Sequence, residues 1–330
     1  MLESIISPKT AERNPWDMLV LGVIVSSLAI WLGFYLSNSL KANPSILILA
    51  LIVVALAPLI HRILSMEEEK DERIVREEEI EETLIEKKII DGECVHKERK
   101  YFTSFFTSFF SRHSDVILLY CFLFLGLMIS FSFWFTVLPM ETAENLPSSG
   151  IVFQEQTGAI KAIAKSFQSG KAVGDDECIP KEQESMARWG KFERIYDNNI
   201  GVMIVCFGAS FLFGAGALWI ISWNASVVAV FIGQKIKEEL SNLPALHAYF
   251  TGFPKYSLGI ALWGIPEIAA YLVAGIAGGI VGVAIAKHRF RSECFWFTVY
   301  DGALLMLFAI FLVFLGAWIE HFYVSINICK

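Results

Sequence analysis

Residues 256–286 read YSLGIALWGIPEIAAYLVAGIAGGIVGVAIA, and Glu267 is the only charged side chain among them. A run this long and apolar predicts a membrane-spanning helix, because about 20 apolar residues cross a hydrocarbon core of about 30 Å. It ends at Lys287-His288-Arg289. A carboxylate among so many apolar neighbours costs roughly 2.5–3.5 kcal/mol on insertion scales, so Glu267 is expected to face protein, water or a partner. Gly264 and Pro266, just before it, predict a break in the helix whose freed backbone groups are satisfied locally. Glu267 would then lie in the first turn of a new helix, where the dipole favours a carboxylate. Two roles stand open for it: a helix-terminus carboxylate that stabilises the break, or a proton or cation site.

The rest of the chain points the same way. Of its 330 residues, 55% are hydrophobic and 14% aromatic, which predicts an all-α, polytopic transmembrane bundle. The polar start leads into a span too long for a cleavable signal peptide. Six to seven spans are expected: 16–36, 45–64, 115–138, 199–222, 256–286 and 295–319, plus 224–236. The last has only 13 residues, about 20 Å as a helix, and reads as a short crossing or a re-entrant half-helix. Three parts follow: an N-terminal transmembrane hairpin (1–65), an acidic helix or linker (66–100), and a membrane domain (101–330) with an outer region at 139–198. Lys9, Arg13, Arg62, Lys70, Arg73, Arg99, Lys100, Arg112, Lys287, Arg289 and Arg291 fall on one side of these spans. A multi-pass cell-membrane protein with a cytoplasmic N-terminus and an extracellular C-terminus is therefore expected.

The net charge of −7 is concentrated. Residues 66–100 hold fourteen acidic and eight basic side chains, a balance of −6. No basic surplus is large enough to neutralise many phosphates, which argues against nucleic-acid binding. Within 67–88 there is no Pro or Gly, and Glu69–Arg73 and Glu72–Arg76 sit at i,i+4 spacing, each pair supporting a helix by a few tenths of a kcal/mol. That helix reads as a solvated stalk or as a docking helix with an incomplete apolar stripe. Phe102, Phe105, Phe106, Phe109 and Phe110 recur at helical spacing, as in an interfacial helix or an aromatic seam between spans. Asp175, Asp176 and Glu177 lack the spacing of a calcium loop and read as a solvated turn.

Gly275, Gly278, Gly279 and Gly282 form two interleaved small-xxx-small patterns that let helices approach closely, within one chain or across a homodimer. The six cysteines show no zinc spacing, so neither a metal nor a cofactor is expected. On the proposed topology Cys178 and Cys329 are the two outer thiols. A disulfide between them would close a loop of about 150 residues, near 5 kcal/mol by chain entropy; two free thiols are the alternative. His61, His113, His288 and His321 fall near span ends and read as interfacial.

From about residue 102 to 319 the chain resembles the stage II sporulation protein M family. Residues 192–202, FERIYDNNIGV, are similar to the family's aromatic-then-Asn entry into a glycine-rich span, here carrying Asn199, Gly208, Gly214 and Gly216. Asn224 stands where the family has an Asn-Gly pair, with Ala225 in place of the Gly and Gly233 following. Gly264-Ile265-Pro266-Glu267 and its glycine tail resemble the family's Pro-His-Gly…Glu segment, with Leu262-Trp263 where Pro-His is expected. The N-terminal extension is similar to the archaeal form. The resemblance implies a membrane component that acts beside separate wall-degrading proteins, with the chemistry residing in those partners.

Two functions remain in view. The first is a non-enzymatic scaffold in the lipid bilayer that organises other membrane or envelope proteins. It has no catalytic residue, and its glycine-rich spans and inner and outer segments provide surfaces. The second is a transporter or channel built on helices broken at Asn224 and Gly264-Pro266, with Glu267, Asn199 and Asn224 as its intramembrane polar groups. An intramembrane enzyme has little support, because no Ser/His or HExxH arrangement lies within the spans.

Overall fold

The computed structural model describes residues 14–90, 102–141, 146–169, 184–239, 241–286 and 293–323. Cys94, Cys178 and Cys329, the acidic run 175–177 and His288 lie outside the described residues. Among those described, all regular structure is helical. Helix α1 (Trp16–Leu40) stops where Lys41 turns left-handed, φ 50°, and returns its N–H to the Ser37 carbonyl. Pro44 opens α2 (Pro44–Ile90) at the position where its missing N–H costs nothing, and Asn43 Oδ1 accepts the Ser45 N–H at 3.0 Å. Helix α2 passes through Pro58 and runs on past the apolar segment Pro44–Lys70 into the acidic stretch without interruption. Helix α3 (Phe102–Val137) takes up the Phe-rich segment as its own first turns.

Two short helices, α4 (Ser149–Val152) and α5 (Gln154–Ser169), dock across the bundle. Ser45 Oγ donates to the Val152 carbonyl at 2.7 Å, and Gln156 Nε2 donates to Ser226 Oγ at 3.2 Å. Phe153 packs edge-on to Phe131 and Phe135, with centroids 6.0 and 5.6 Å away. Lys237 donates to the Leu138 carbonyl and to Ser149 Oγ, both at 2.9 Å, which fixes the chain between α3 and α4 to a neighbouring span.

The run expected as one span at 199–222 is divided. Helix α6 (Glu184–Phe213) ends in a tight turn at 214–216, and α7 (Ala217–Glu239) starts immediately after it. Gly214 has φ +63°, and a Cβ there would sit 2.9 Å from His61 Nδ1; at Gly216 it would collide with the Ala209 carbonyl. Glycine is the residue that fits both positions. The apparent half-helix at 224–236 is therefore the second half of a 23-residue helix.

Helix α8 (Ala245–Ala286) corrects a second expectation. It continues unbroken through Pro254 and Pro266. A proline removes one ladder hydrogen bond, and neighbouring helices in a membrane bundle tolerate that loss. Every residue from Ala270 to Val281 is buried, which explains why this stretch is apolar on all sides. Helix α9 (Glu293–Tyr323) is the last of the described elements.

Among the described residues, seven helices are long and apolar enough to cross a membrane: α1, Pro44–Lys70 of α2, His113–Val137 of α3, Arg188–Phe213 of α6, α7, α8 and Phe295–Phe322 of α9. The protein is thus a polytopic helical membrane protein. Glycine contacts set its closest approaches. Gly278 and Gly282 lie on the Phe207 and Phe211 carbonyls of α6, so α6 and α8 run in the same direction. Gly302 and Gly316 of α9 meet Val281 and Glu267, so α9 returns antiparallel to α8. Gly22 of α1 and Gly126 of α3 rest reciprocally on the Leu123 and Leu19 carbonyls.

Candidate functional site

Glu267 projects from α8 toward α9, where Gly316 leaves the notch that receives it. A Cβ on Gly316 would sit 2.5 Å from Glu267 Cγ and 3.3 Å from Oε1. One helical turn beyond Gly316, on the same face of α9, Glu320 sets a second carboxyl beside the first. One turn below Glu267 on α8, the Tyr271 hydroxyl donates to Asn199 Oδ1 at 2.7 Å. Asn198 Nδ2 donates to the same oxygen at 3.3 Å. With Oδ1 held by these two donors, Asn199 presents its Nδ2 toward Glu267. Asn199 is 5% exposed, and neither its Nδ2 nor Glu267 Oε1 has a hydrogen-bond partner among the described residues.

Beside this group an aromatic collar joins α6 and α9. Phe192 stands 5.8 Å from Phe314 and 6.0 Å from Trp318, and His321 lies 6.1 Å from Phe192. Trp189, Trp318 and Phe322 are partly open to the surroundings, as aromatic side chains in a membrane interface belt are.

The other sequence-selected residues are distributed differently. Asn224 donates to the Ile220 carbonyl on its own helix at 2.8 Å. It lines a separate cavity of about 530 Å³ with Asp197, Asn198 and Trp223 rather than joining Glu267. Gly264 is buried, and the nearest atom a Cβ there would meet is Ile260 Cγ2 on the same helix. Pro266 stays within the continuous helix. Gly275 faces Ala217, Gly278 and Gly282 face α6, and Gly279 faces Leu64, so all four glycines pack against helices of the same chain. Cys121 and Cys206 carry free thiols.

A family model described as Stage II sporulation protein M matches residues 121–325. The chain belongs to this family. The matched region starts in α3 and contains α6 to α9 entire up to their described ends, with Glu267, Glu320, Asn199 and Tyr271 all inside it. No curated protein and no solved structure matches the chain.

The stage II sporulation protein M region is tied to the N-terminal extension by a buried polar cluster that sequence reading missed. His113 Nδ1 lies 2.8 Å from Glu67 Oε1, and His113 Nε2 lies 3.4 Å from Asp301 Oδ2. Lys70 Nζ is 2.9 Å from Glu67 Oε2. Glu67, His113 and Asp301 are each 1% exposed, so this histidine is an interior bridge and not an interfacial side chain. Both ring nitrogens of His113 are thus engaged by carboxylate oxygens from two other helices. The cluster joins α2, α3 and α9 across sequence separations of 46 and 188 residues.

Proposed function

We propose that the protein is a non-enzymatic membrane scaffold that positions other membrane or envelope proteins. The observation that best supports this reading is the continuity of α2. Its 47 residues span about 70 Å at 1.5 Å per residue, and about twenty of them extend the helix beyond the apolar segment. Glu67 and Lys70, at the exit, are held by the His113–Asp301 cluster, and Leu64 just before them packs on Gly279. An acidic helical arm thus leaves the membrane in a direction fixed by the bundle, as a docking element requires. The distribution of Lys and Arg supports a cytoplasmic position for this arm.

Photo-cross-linking from successive positions of 73–88 in native membranes tests the arm. The expected result is a discrete set of protein adducts recurring at helical spacing. Inserting Gly-Pro after Lys70 should abolish that periodicity, because it uncouples the arm from the bundle. Adducts to lipid alone, or yields indifferent to the insertion, would remove the arm's role. The Glu267–Glu320 pair favours a second reading, a transporter that uses these carboxylates, although α8 is unbroken at Pro266.

A further inference from the structure

We propose that Glu267 and Glu320 form a proton-binding site that holds one proton between them, with Asn199 as the donor to the carboxylate that remains charged. The inference rests on the geometry of α6, α8 and α9 and stands whether the protein is a scaffold or a transporter. Two carboxyl groups are brought together from different helices, and within a membrane span two adjacent negative charges repel strongly. A third side chain is built to meet one charge. Asn199 is nine-tenths buried, its oxygen is committed to Tyr271 and Asn198, and its Nδ2 is left without a partner facing Glu267.

One proton accounts for every one of these groups. The protonated carboxyl donates its O–H to its neighbour, and the neighbouring carboxylate accepts that bond together with the Asn199 N–H. With no proton, two like charges meet. With two, the second O–H has no anionic acceptor and the Asn199 N–H faces only neutral groups. The proton comes from hydronium in the adjoining water: carboxylate plus hydronium gives carboxylic acid plus water. Among the described residues, the other titratable group beside the pair is Tyr271 on α8, with Cys206 of α6 near its ring, while His321 of α9 packs in the aromatic collar against Phe192 and Trp318. Among the described residues, the side chains that act on Glu267 and Glu320 come from α6, α8 and α9.

The test uses the full chain in lipid nanodiscs, read by the infrared carbonyl band of a protonated carboxyl as pH is raised. Labelling by dicyclohexylcarbodiimide, which attacks protonated carboxyls in apolar surroundings, is the second readout. Wild type should show one protonated carboxyl per chain and incorporate label at Glu267 or Glu320, both lost together in a single step. Glu320→Gln should move the loss of the Glu267 signal to lower pH, because the like charge that favours protonation is gone. Asn199→Leu should move the wild-type step to higher pH by about one unit, because the carboxylate loses its donor. Folding of each variant is checked by size-exclusion elution. Absence of a protonated carboxyl in folded wild type, or an unchanged titration in folded Glu320→Gln, overturns the proposal. So does loss of label on adding sodium or calcium at fixed pH, which would make the ligand a metal cation. Because binding is measured here without any flux, its failure leaves the functional reading to its own experiments.

Discussion

Replacing His113 with alanine is expected to destabilise the folded bundle by about 3–5 kcal/mol, the range for breaking a buried ion pair by removing one partner. In a detergent-solubilised thermal melt this corresponds to an apparent Tm lower by roughly 5–10 °C. Glu67 and Asp301 come from α2 and α9, and both lie against the one imidazole from α3. Taking that imidazole away leaves two interior carboxylates facing each other across the space it filled. His113→Gln, which keeps a single amide donor group, should recover part of the loss. Glu155→Gln, at an exposed position, should stay within about 0.5 kcal/mol of wild type. An unchanged melt for His113→Ala would show that the cluster does not hold α2 to the family domain.

The second large effect is expected at Gly278. Its Cα lies against the Phe207 carbonyl, a backbone atom that has no rotamer to give way. Gly278→Ala should cost about 1–3 kcal/mol through overpacking, and Gly278→Leu should abolish the folded peak in fluorescence-detected gel filtration. Gly279→Ala should be milder, because its nearest neighbour is the end of the Leu64 side chain, which can move. Light scattering supplies the contrast. If Gly278→Ala turned a stable dimer into a stable monomer, the glycine face would be serving an interface between chains.

The readability of each feature follows from the range of the interactions behind it. The spans were legible because hydropathy is local and the membrane demands long apolar runs. The turn at 214–216 was hidden because the residues on either side are equally apolar. Only Gly214 and Gly216 mark it, and their reason lies in contacts with His61 and Ala209. Pro266 read as a break because the sequence does not reveal the helices that enclose α8. Glu267 stood out as a lone charge, and Asn199 was selected as a candidate polar group. Their partner Glu320 was passed over because it falls one residue beyond the expected end of the last span. The spacing of Gly316 and Glu320, one turn apart, was the available signal. Nothing near His113 announced its partners, since Glu67 and Asp301 lie 46 and 188 residues away. Long-range polar pairing of this kind is written in the fold alone.

The measurement that bears most directly on the central claim is ion flux across sealed vesicles containing the purified protein. Proton, sodium and potassium fluxes would be compared for wild type, Glu267→Gln and protein-free vesicles. A scaffold gives the same traces in all three. Flux that appears with wild type and disappears with a folded Glu267→Gln protein would contradict the scaffold reading and make the carboxylate pair part of a transport path.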